Sequence, residues 1–236
     1  MGRLEGKIIA VTGANRGIGL AIALELSQEG AHLLLLGRDR AALARAVRSM
    51  PGEAQAIVGD VTEPRDVQRI FTAMRRSVKR LDVLVNNAGV FTYRPFARPT
   101  LKDWRANLET NLTSIFLVTR AALPLLQRSR SAHLINILSV AGRVAFANCS
   151  AYCASKFGAL GLTGVLREEL RPHGIRVTAI LPGSTDTRQA GKFDFPVDRK
   201  KLIQPDDVAA AVLAALLQPA RTTAEEILLM PSSGKL

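Results

Sequence analysis

The sequence predicts an α/β fold in which helices cover both faces of a parallel, doubly wound sheet. Short apolar runs recur along the chain without the polar alternation that marks a sheet with one face in water. Stretches with helical spacing of apolar residues separate these runs, as parallel strands require. A glycine-rich turn joins the first run to the first helical stretch. Ligands in such sheets bind beyond the carboxyl ends of the strands.

Strands and helices alternate in the order that a doubly wound sheet requires. Pro64 suits the first turn of a helix, where its missing N–H would have no partner, and Gly30 suits a helix end. No internal repeat or linker interrupts the order, so we expect one cofactor-binding catalytic domain over residues 1–236. The predicted strands are residues 8–12, 32–36, 56–58, 83–85, 134–138, 175–181 and 227–229, and the predicted helices are residues 18–29, 40–49, 64–78, about 101–129, about 150–171 and about 204–217.

The composition is that of a folded protein with a surplus of basic residues. Hydrophobic residues make up 47% and charged residues 22% of the 236, which excludes a disordered chain, a collagen and a coiled-coil rod. The formal charge of +12 is spread along the chain, and no basic run exceeds Arg199-Lys200-Lys201. The simplest interpretation is a diffusely basic protein without a nucleic-acid partner. The alternative is attraction to an anion, such as a phosphorylated cofactor, an acidic substrate or an acidic carrier protein.

Cysteine content and hydropathy favour a cytoplasmic protein. Cys149 and Cys153 are the only two cysteines, too few for a disulfide scaffold and suited to a reducing compartment. No apolar stretch approaches the roughly 20 residues that span a bilayer. The N-terminal residues also lack the apolar core of a secretory signal. We therefore expect no membrane association.

The turn after the first strand has the composition of a phosphate-binding loop. Residues 12–19 read Thr-Gly-Ala-Asn-Arg-Gly-Ile-Gly. Glycines let backbone N–H groups approach a pyrophosphate, and the following helix N-terminus adds a favourable dipole. The spacing is Gly-x-x-x-Gly-x-Gly rather than the usual Gly-x-Gly-x-x-Gly. Taken alone, the loop only suggests such a site, and the alternative is a glycine-rich connection needed for helix packing.

The end of the second strand indicates which dinucleotide binds. A carboxylate there would accept hydrogen bonds from the adenosine ribose and repel a 2′-phosphate. The strand instead ends Leu36-Gly37-Arg38, and Asp39 lies farther out. Arg38 and Arg16 can donate paired, charge-assisted hydrogen bonds to a phosphate, although both could equally be solvated surface residues. The sequence therefore predicts NADP(H) as the preferred cofactor, with NAD(H) possible.

A tyrosine and a lysine form the candidate proton-transfer pair. Tyr152 and Lys156 are four residues apart at the start of a helix, so both project from one face. A nearby ammonium would lower the tyrosine pKa from about 10, so that the phenol can give and take a proton near neutral pH. Ser139 ends the preceding strand, where its hydroxyl can polarise a carbonyl, and Asn111 in the long helix can anchor a water. The pair alone is a weak signal, but its position after a strand-end serine strengthens it.

Taken together, these motifs resemble the signatures of the short-chain dehydrogenases/reductases from end to end of the chain. Besides the loop of residues 12–19, Asp60-Val61 resembles the family's adenine-contacting pair, and residues 86–89 read Asn-Asn-Ala-Gly. Residues 182–187 resemble its Pro-Gly segment near the nicotinamide. The resemblance implies a catalytic tetrad of Asn111, Ser139, Tyr152 and Lys156. It implies as cofactor-binding residues Gly13, Asn15, Arg16, Gly17, Ile18, Gly19, Arg38, Asp60, Val61, Asn87, Ala88, Gly89, Tyr152, Lys156, Pro182, Gly183, Thr185 and Thr187.

The resemblance also implies an architecture and a reaction. We expect a seven-stranded Rossmann sheet and reversible hydride transfer at C4 of the nicotinamide, which interconverts a carbonyl and an alcohol. In that scheme Tyr152 is the general acid/base, and Ser139 binds the substrate oxygen. Lys156 lowers the tyrosine pKa and binds the nicotinamide ribose, while Asn111 supports a water relay. The substrate is a small molecule, no metal is required, and the family often forms homodimers or homotetramers through its two long helices.

Two departures from the family pattern leave alternatives open. The frequent Val-Asp-Gly-Gly ending is absent, and the substrate-loop region 188–203 is short, which suggests an open pocket. A 3-oxoacyl-carrier-protein reductase is a more specific hypothesis, since the basic surface would attract an acidic carrier. A cofactor-sensing regulator without turnover is the non-enzymatic alternative, and the intact Tyr152 and Lys156 argue against it.

The remaining candidates have ordinary structural interpretations. His32, His133 and His173 form no metal-ligand cluster in the sequence. Cys153 is expected to pack, whereas Cys149 is a candidate for the substrate pocket. Trp104 and Phe116 are expected to pack between helices, and Phe193 and Phe195 are expected to cover an apolar substrate or pack within a lid.

Overall fold

A computed structural model of the protein describes residues 2–188, 191 and 198–234. Within them, seven strands form one sheet in the order β3-β2-β1-β4-β5-β6-β7, and every neighbouring pair is parallel. The predicted doubly wound Rossmann architecture is therefore confirmed. The strands are β1 (Ile8–Thr12), β2 (His32–Gly37), β3 (Ala54–Val58), β4 (Val83–Asn86), β5 (His133–Ile137), β6 (Arg176–Pro182) and β7 (Glu226–Leu229). The helices are α1 (Gly17–Gln28), α2 (Arg40–Ser49), α3 (Pro64–Ser77), α4 (Leu101–Leu108), α5 (Ser114–Leu126), α6 (Ser150–Leu170) and α7 (Pro205–Leu216).

The long helix predicted over residues 101–129 is interrupted. A π-helical turn, Glu109–Thr113, separates α4 from α5, and α5 ends at Leu126. Turns of this kind are frequent at functional sites because they re-aim a side chain within a helix. Here the turn contains the fully buried Asn111. The hydrophobic pattern predicts the helix but not this extra residue in one turn.

The apolar runs lack alternation because both faces of the sheet are covered. Leu33 and Leu35 of β2 pack into one core with α1, α2 and α7, whereas Leu34 and Leu36 pack into the opposite core with α3 and α5. The edge strand β3 differs, because its residues are partly buried or exposed. It begins at Ala54, two residues before the predicted start at Ala56, because an exposed strand lacks the continuous apolar run that predicts a buried one. No helix of the described residues is both long enough and apolar enough to cross a membrane.

One buried carboxylate ties together the amino ends of the strands. Asp82, just before β4, accepts hydrogen bonds from the Ile8 N–H (2.9 Å), the Ser129 hydroxyl (2.6 Å) and the Arg80 Nε (3.0 Å). Burial alone would raise the pKa of Asp82, but these donors outweigh it and hold the pKa below its usual value. The charged form of Asp82 therefore stabilises the fold.

We expect Asp82→Asn to lower the free energy of unfolding by about 1.5–3 kcal/mol near neutral pH, since three donors lose a charged acceptor. A carboxyl whose pKa is lowered on folding contributes fully above its unfolded pKa of about 3.9 and loses that contribution as the pH falls. The difference from wild type should therefore shrink in acid, as denaturant titrations at both pH values would measure. Glu168→Gln, at an exposed ion pair with Arg171, is the matched control and should change stability little. Equal effects of the two substitutions would contradict the role given to Asp82.

Candidate active site

The carboxyl ends of β1 to β5 open onto a cleft of about 400 Å³, called here the main cleft. A second cavity of about 280 Å³, the side cavity, adjoins it. Ile18, Leu138, Tyr152 and Thr187 line both spaces. The main cleft is lined by loop residues that follow the strands, namely Gly13, Asn15, Arg16, Gly17, Gly19, Gly37, Arg38, Gly59, Asp60, Val61, Thr62, Asn87, Ala88, Gly89 and Val90, together with Thr110, Ile137, Lys156 and Arg188.

The glycine loop at the floor of the main cleft leaves no room for side chains. Gly13 and Gly17 adopt positive φ angles of 65° and 53°, which favour glycine. A Cβ at Gly19 would lie 2.4 Å from both the Gly13 carbonyl oxygen and the Asn87 amide nitrogen. No side chain caps the first turn of α1, and its first turn contains no acidic residue. The loop therefore presents uncapped backbone at a helix N-terminus, an arrangement that favours an anion.

Hydrogen bonds hold this loop against the end of β4. The Thr12 hydroxyl accepts from the backbone N–H groups of Asn87 (2.9 Å) and Ala88 (3.0 Å). The Asn87 side-chain amide donates in return to the Thr12 carbonyl at 2.9 Å. Asn87 thus lines the main cleft, but its side chain is bonded to the loop. It would contribute to ligand binding by fixing the loop's position.

Positive charge gathers at the end of the main cleft that follows β2. Arg16 and Arg38 both line it, and Arg38 is 71% exposed. Arg38 forms an ion pair with Asp60, at 3.1 Å between Nη1 and Oδ2. Asp39, one residue later, accepts the Ala42 N–H at 2.9 Å and so caps α2. The carboxylate nearest the end of β2 is therefore engaged by a helix.

Lys156 and Tyr152 meet between the main cleft and the side cavity. Lys156 is 5% exposed; its Nζ donates to the Ile137 carbonyl at 3.2 Å and lies 5.8 Å from the Tyr152 ring centroid. Burial lowers the pKa of Lys156 to about 8 and raises the pKa of Tyr152 to about 12, although a hydrogen bond from Ser139 opposes the latter. The net shift of the tyrosine pKa is upward here, and the lowering by Lys156 stays a prediction. Burial of the phenol dominates, and the ammonium is bonded to a backbone carbonyl.

Asn111 joins three segments around the site. Its Oδ1 accepts the Val90 N–H at 2.8 Å, and its Nδ2 donates to the Val90 carbonyl and the Ser155 hydroxyl, each at 2.9 Å. Val90 follows β4, and Ser155 lies on α6 between Tyr152 and Lys156. Asn111 thus fixes α6 against the loop that lines the main cleft.

The side cavity has aromatic walls that the sequence analysis did not identify. Phe91, Tyr93 and Phe146 line it together with Ser139 and Tyr152. The Phe91 ring meets the Tyr152 ring edge-on, with centroids 4.9 Å apart. Residues 91–96 hold three aromatics directly after the Asn-Asn-Ala-Gly motif, and that density was the signal available in the sequence.

A hydrogen bond links the two loops that form these walls. Asn148, the one non-glycine residue with positive φ (63°) in the described part of the chain, donates from Nδ2 to the Tyr93 hydroxyl at 3.0 Å. Its carbonyl accepts the Arg94 N–H at 2.7 Å. Asparagine is among the residues that tolerate this conformation best. The wall therefore depends on a strained backbone position next to Cys149.

Comparison with known proteins gives this arrangement a family. The sequence model of the short chain dehydrogenases matches residues 7–194. The chain belongs to the short-chain dehydrogenase/reductase family. A sepiapterin reductase of Chlorobaculum tepidum is 37% identical over 97% of this chain and 98% of its own length. An uncharacterised oxidoreductase of Staphylococcus saprophyticus is 34% identical over 98% and 100%.

A solved structure shows the same fold with a bound dinucleotide. The crystal structure of a metagenomic short-chain oxidoreductase in complex with NADP superposes with a TM-score of 0.85. Its sequence is 35% identical, and the match covers 97% of this chain and 98% of that one. Oxidoreductase activity with a nicotinamide dinucleotide is therefore the activity of the family to which this chain belongs.

Several residues of this short-chain dehydrogenase/reductase lie in places that the sequence did not specify. Pro182, Gly183 and Thr185 line the side cavity rather than the main cleft, whereas Thr187 lines both. Cys149 lines the side cavity as expected. Phe193 and Phe195 lie outside the described residues.

The expectation that Trp104 and Phe116 pack between helices is wrong, because they are 38% and 46% exposed on α4 and α5. His133 is buried against the Thr178 hydroxyl at 2.8 Å, and burial lowers its pKa to about 3. Within the described ranges, no group of three or more potential ligands is placed to hold a metal.

We expect Gly19→Ala to lower the melting temperature and weaken nicotinamide-dinucleotide binding at least tenfold, since the added methyl group must displace backbone that forms the loop. Gly161→Ala is the matched control, because a Cβ at this position of α6 meets nothing within 4 Å. It should raise stability by about 0.5–1 kcal/mol and leave binding unchanged. Thermal unfolding and cofactor fluorescence titration measure both effects. Unchanged binding in Gly19→Ala would show that the loop does not contact the dinucleotide.

Proposed function

We propose that the protein interconverts a carbonyl and an alcohol, that it prefers NADP(H), and that the whole chain works as one catalytic domain. The observation that carries this proposal is the position of Tyr152, which lines both the main cleft and the side cavity. Lys156 accompanies it on the main-cleft side and Ser139 on the other. A proton donor at the junction of two binding spaces can serve a substrate in one space while a cofactor lies in the other.

The main cleft fits a nicotinamide dinucleotide. The loop from Gly13 to Gly19 is fixed by close packing at Gly19, and its glycines leave backbone N–H groups open to a pyrophosphate. Asp60 and Val61 would contact the adenine, and Lys156 and Thr187 would hold the nicotinamide end. When bound, the dinucleotide donates or accepts the hydride. Binding by the chain's own residues orients it against Tyr152.

Tyr152 is suited to donate a proton to the substrate oxygen. Its raised pKa of about 12 keeps the phenol protonated at neutral pH, which fits the direction of carbonyl reduction. The Ser139 oxygen accepts the Ala141 N–H at 3.1 Å, so its own proton is free to be donated toward Tyr152 or a substrate oxygen. Two donors on one oxygen would stabilise the negative charge that develops there. Asn111 keeps the Tyr152 helix in place and, as the family resemblance implies, would support a water relay.

The side cavity favours a substrate with a flat, apolar body next to its carbonyl. Phe91, Tyr93 and Phe146 supply aromatic walls, and the volume of about 280 Å³ suits a small molecule. Because one relative is named a sepiapterin reductase, sepiapterin is the first substrate to assay with NADPH. A screen that includes 3-oxoacyl thioesters tests the carrier-protein alternative in the same format.

An oligomer is part of the proposal. Trp104, Phe116, Phe157 and Val165 are exposed on α4, α5 and α6. Exposed apolar residues of this number on neighbouring helices are typical of subunit interfaces. They support a homodimer or homotetramer, and the free thiols of Cys149 and Cys153 suit the cytoplasm.

We expect Tyr152→Phe to bind NADPH normally and to lose about 10²–10⁴-fold in kcat, because the proton donor is removed and the ring is kept. Tyr93→Phe is the matched control, since Tyr93 is the only other tyrosine and also lines the side cavity. It should change KM while its kcat stays within about tenfold of wild type. Steady-state kinetics with the best substrate of the screen measure both. A kcat for Tyr152→Phe within a few-fold of wild type would exclude it as the donor.

We expect Arg38→Ala to lower kcat/KM with NADPH about tenfold and to leave NADH nearly unaffected. One charge-assisted hydrogen bond to an exposed phosphate contributes about 1.5 kcal/mol, the lower end of its range, because the side chain is largely solvated. Arg221→Ala removes the same charge from an exposed position away from the main cleft and serves as the control. An unchanged cofactor ratio in Arg38→Ala, or an equal shift in Arg221→Ala, would remove Arg38 from phosphate recognition.

A further inference from the structure

Two cysteines stand one helical turn apart beside Tyr152. Cys149 is the N-cap residue of α6, and the Cys153 N–H donates to its carbonyl at 2.7 Å. The two side chains are hydrogen-bonded to each other, and both are free thiols. Cys149 lines the side cavity, and with Phe91 and Cys153 it forms an apolar cluster against which Tyr152 packs. A small reagent in the side cavity therefore reaches Cys149, and Cys153 stands one helical turn behind it.

The backbone geometry allows the two sulfurs to be joined. Residues four apart in a helix have Cα atoms about 6 Å apart, within the range of about 4.4–6.8 Å found in disulfides, but their Cβ atoms, about 5–6 Å apart, must approach to about 3.5–4.5 Å. The hydrogen bond from Cys153 to Cys149 shows that this helical spacing holds here. Cys149 itself has non-helical dihedral angles, φ −119° and ψ 27°. It can therefore move toward Cys153 without breaking the helical turns that follow.

The surroundings of Cys153 favour the reactive form of its thiol. The Cys149 thiol and the backbone N–H of Phe146 both donate hydrogen bonds to the Cys153 sulfur. These donors outweigh burial and lower the pKa of Cys153 to about 6, while the pKa of Cys149 is raised by its bond to Cys153. These contacts favour loss of the first proton of the pair from Cys153. The thiolate is the nucleophilic form of cysteine.

We propose that Cys149 and Cys153 form an oxidisable dithiol in the wall of the side cavity, which a hydroperoxide converts to a disulfide that reshapes this cavity. One of the two thiols attacks, as its thiolate, the outer oxygen of the hydroperoxide, so an S–O bond forms, the O–O bond breaks, and an alcohol or water leaves after taking up a proton. The other sulfur then attacks the resulting sulfenic acid. An S–S bond forms, the S–O bond breaks, and water leaves with the proton of the second thiol. The two thiols lose two electrons, which reduce the hydroperoxide.

Closing the disulfide would disturb the substrate wall and the proton donor together. The sulfur atoms must come to about 2.05 Å, closer than any hydrogen-bonded pair of thiols, so Cys149 has to move. Asn148, the neighbour that holds Tyr93 from a left-handed backbone position, would move with it. Tyr152 lies between the two joined residues. The expected effect on turnover rests on the proposed function, whereas disulfide formation does not.

The chain is well suited to a mass-spectrometric test. Because it contains two cysteines, any disulfide within one chain joins Cys149 to Cys153. Trypsin cleaves after Arg143 and Lys156, so one peptide carries both residues. Hydrogen peroxide is the probe, and the full-length protein is analysed before and after treatment by intact mass, non-reducing gel and alkylation. We expect a loss of about two mass units from monomeric chains, confined to this peptide and reversed by dithiothreitol.

Turnover is measured on the same samples, and each variant is compared with its own untreated form. Treated wild type should lose at least about tenfold in kcat/KM, since displacing a catalytic group by about 1 Å costs up to about 10²-fold. Dithiothreitol should restore it, which separates the disulfide from methionine oxidation. Cys149→Ser and Cys153→Ser should each keep their own activity under the same treatment.

Three results would overturn the proposal. They are no loss of two mass units, full disulfide formation with unchanged turnover, and inactivation of the two serine variants to the same extent as wild type. If the untreated protein reduces no carbonyl in the screen, the proposed function fails. The mass and alkylation data still decide whether the disulfide forms.

Discussion

The contact between the glycine loop and the end of β4 is so close that no side chain fits between them, and the site depends on that closeness. The Thr12 hydroxyl and the Asn87 amide fasten the loop to the strand, and Gly19 lies directly against the Asn87 amide and the Gly13 carbonyl. This contact determines where α1 begins, beyond the carboxyl end of β1. Ile18, the residue before Gly19, then reaches both binding spaces beside Tyr152. The position of the glycine loop relative to Tyr152 follows from one tightly packed crossing.

A second constraint acts on the opposite side of the site. The π turn between α4 and α5 places Asn111 so that its amide joins the loop after β4 to α6. Ser155, which receives this bond, stands between Tyr152 and Lys156. Lys156 is held with its ammonium buried, and burial lowers its pKa. The fold thus retains a basic group where burial disfavours its charge, which accords with the role proposed for Lys156.

Much of the fold could be predicted, because strands that are buried on both faces of a sheet are apolar along their whole length. The runs at His32–Gly37 and Val83–Asn86 are apolar for that reason, and the motifs that follow them lie at the carboxyl edge of any parallel sheet. What could not be predicted depends on distances between segments. The pKa of Tyr152 is set by how deeply its phenol is buried. The aromatic walls at Phe91 and Tyr93 become walls only when another loop closes over them.

Because Asp39 caps α2, helix stability and the proposed nucleotide selectivity depend on two different residues. This carboxylate supports the first turn of α2, so its loss would weaken a helix. Arg38, the neighbour that faces the main cleft, supports no helix and lies mostly in solvent. With the role proposed for Arg38, nucleotide selectivity and structural integrity belong to adjacent positions that can drift independently. A lineage with this arrangement could then exchange one dinucleotide for the other through surface substitutions while the folded core stays as it is.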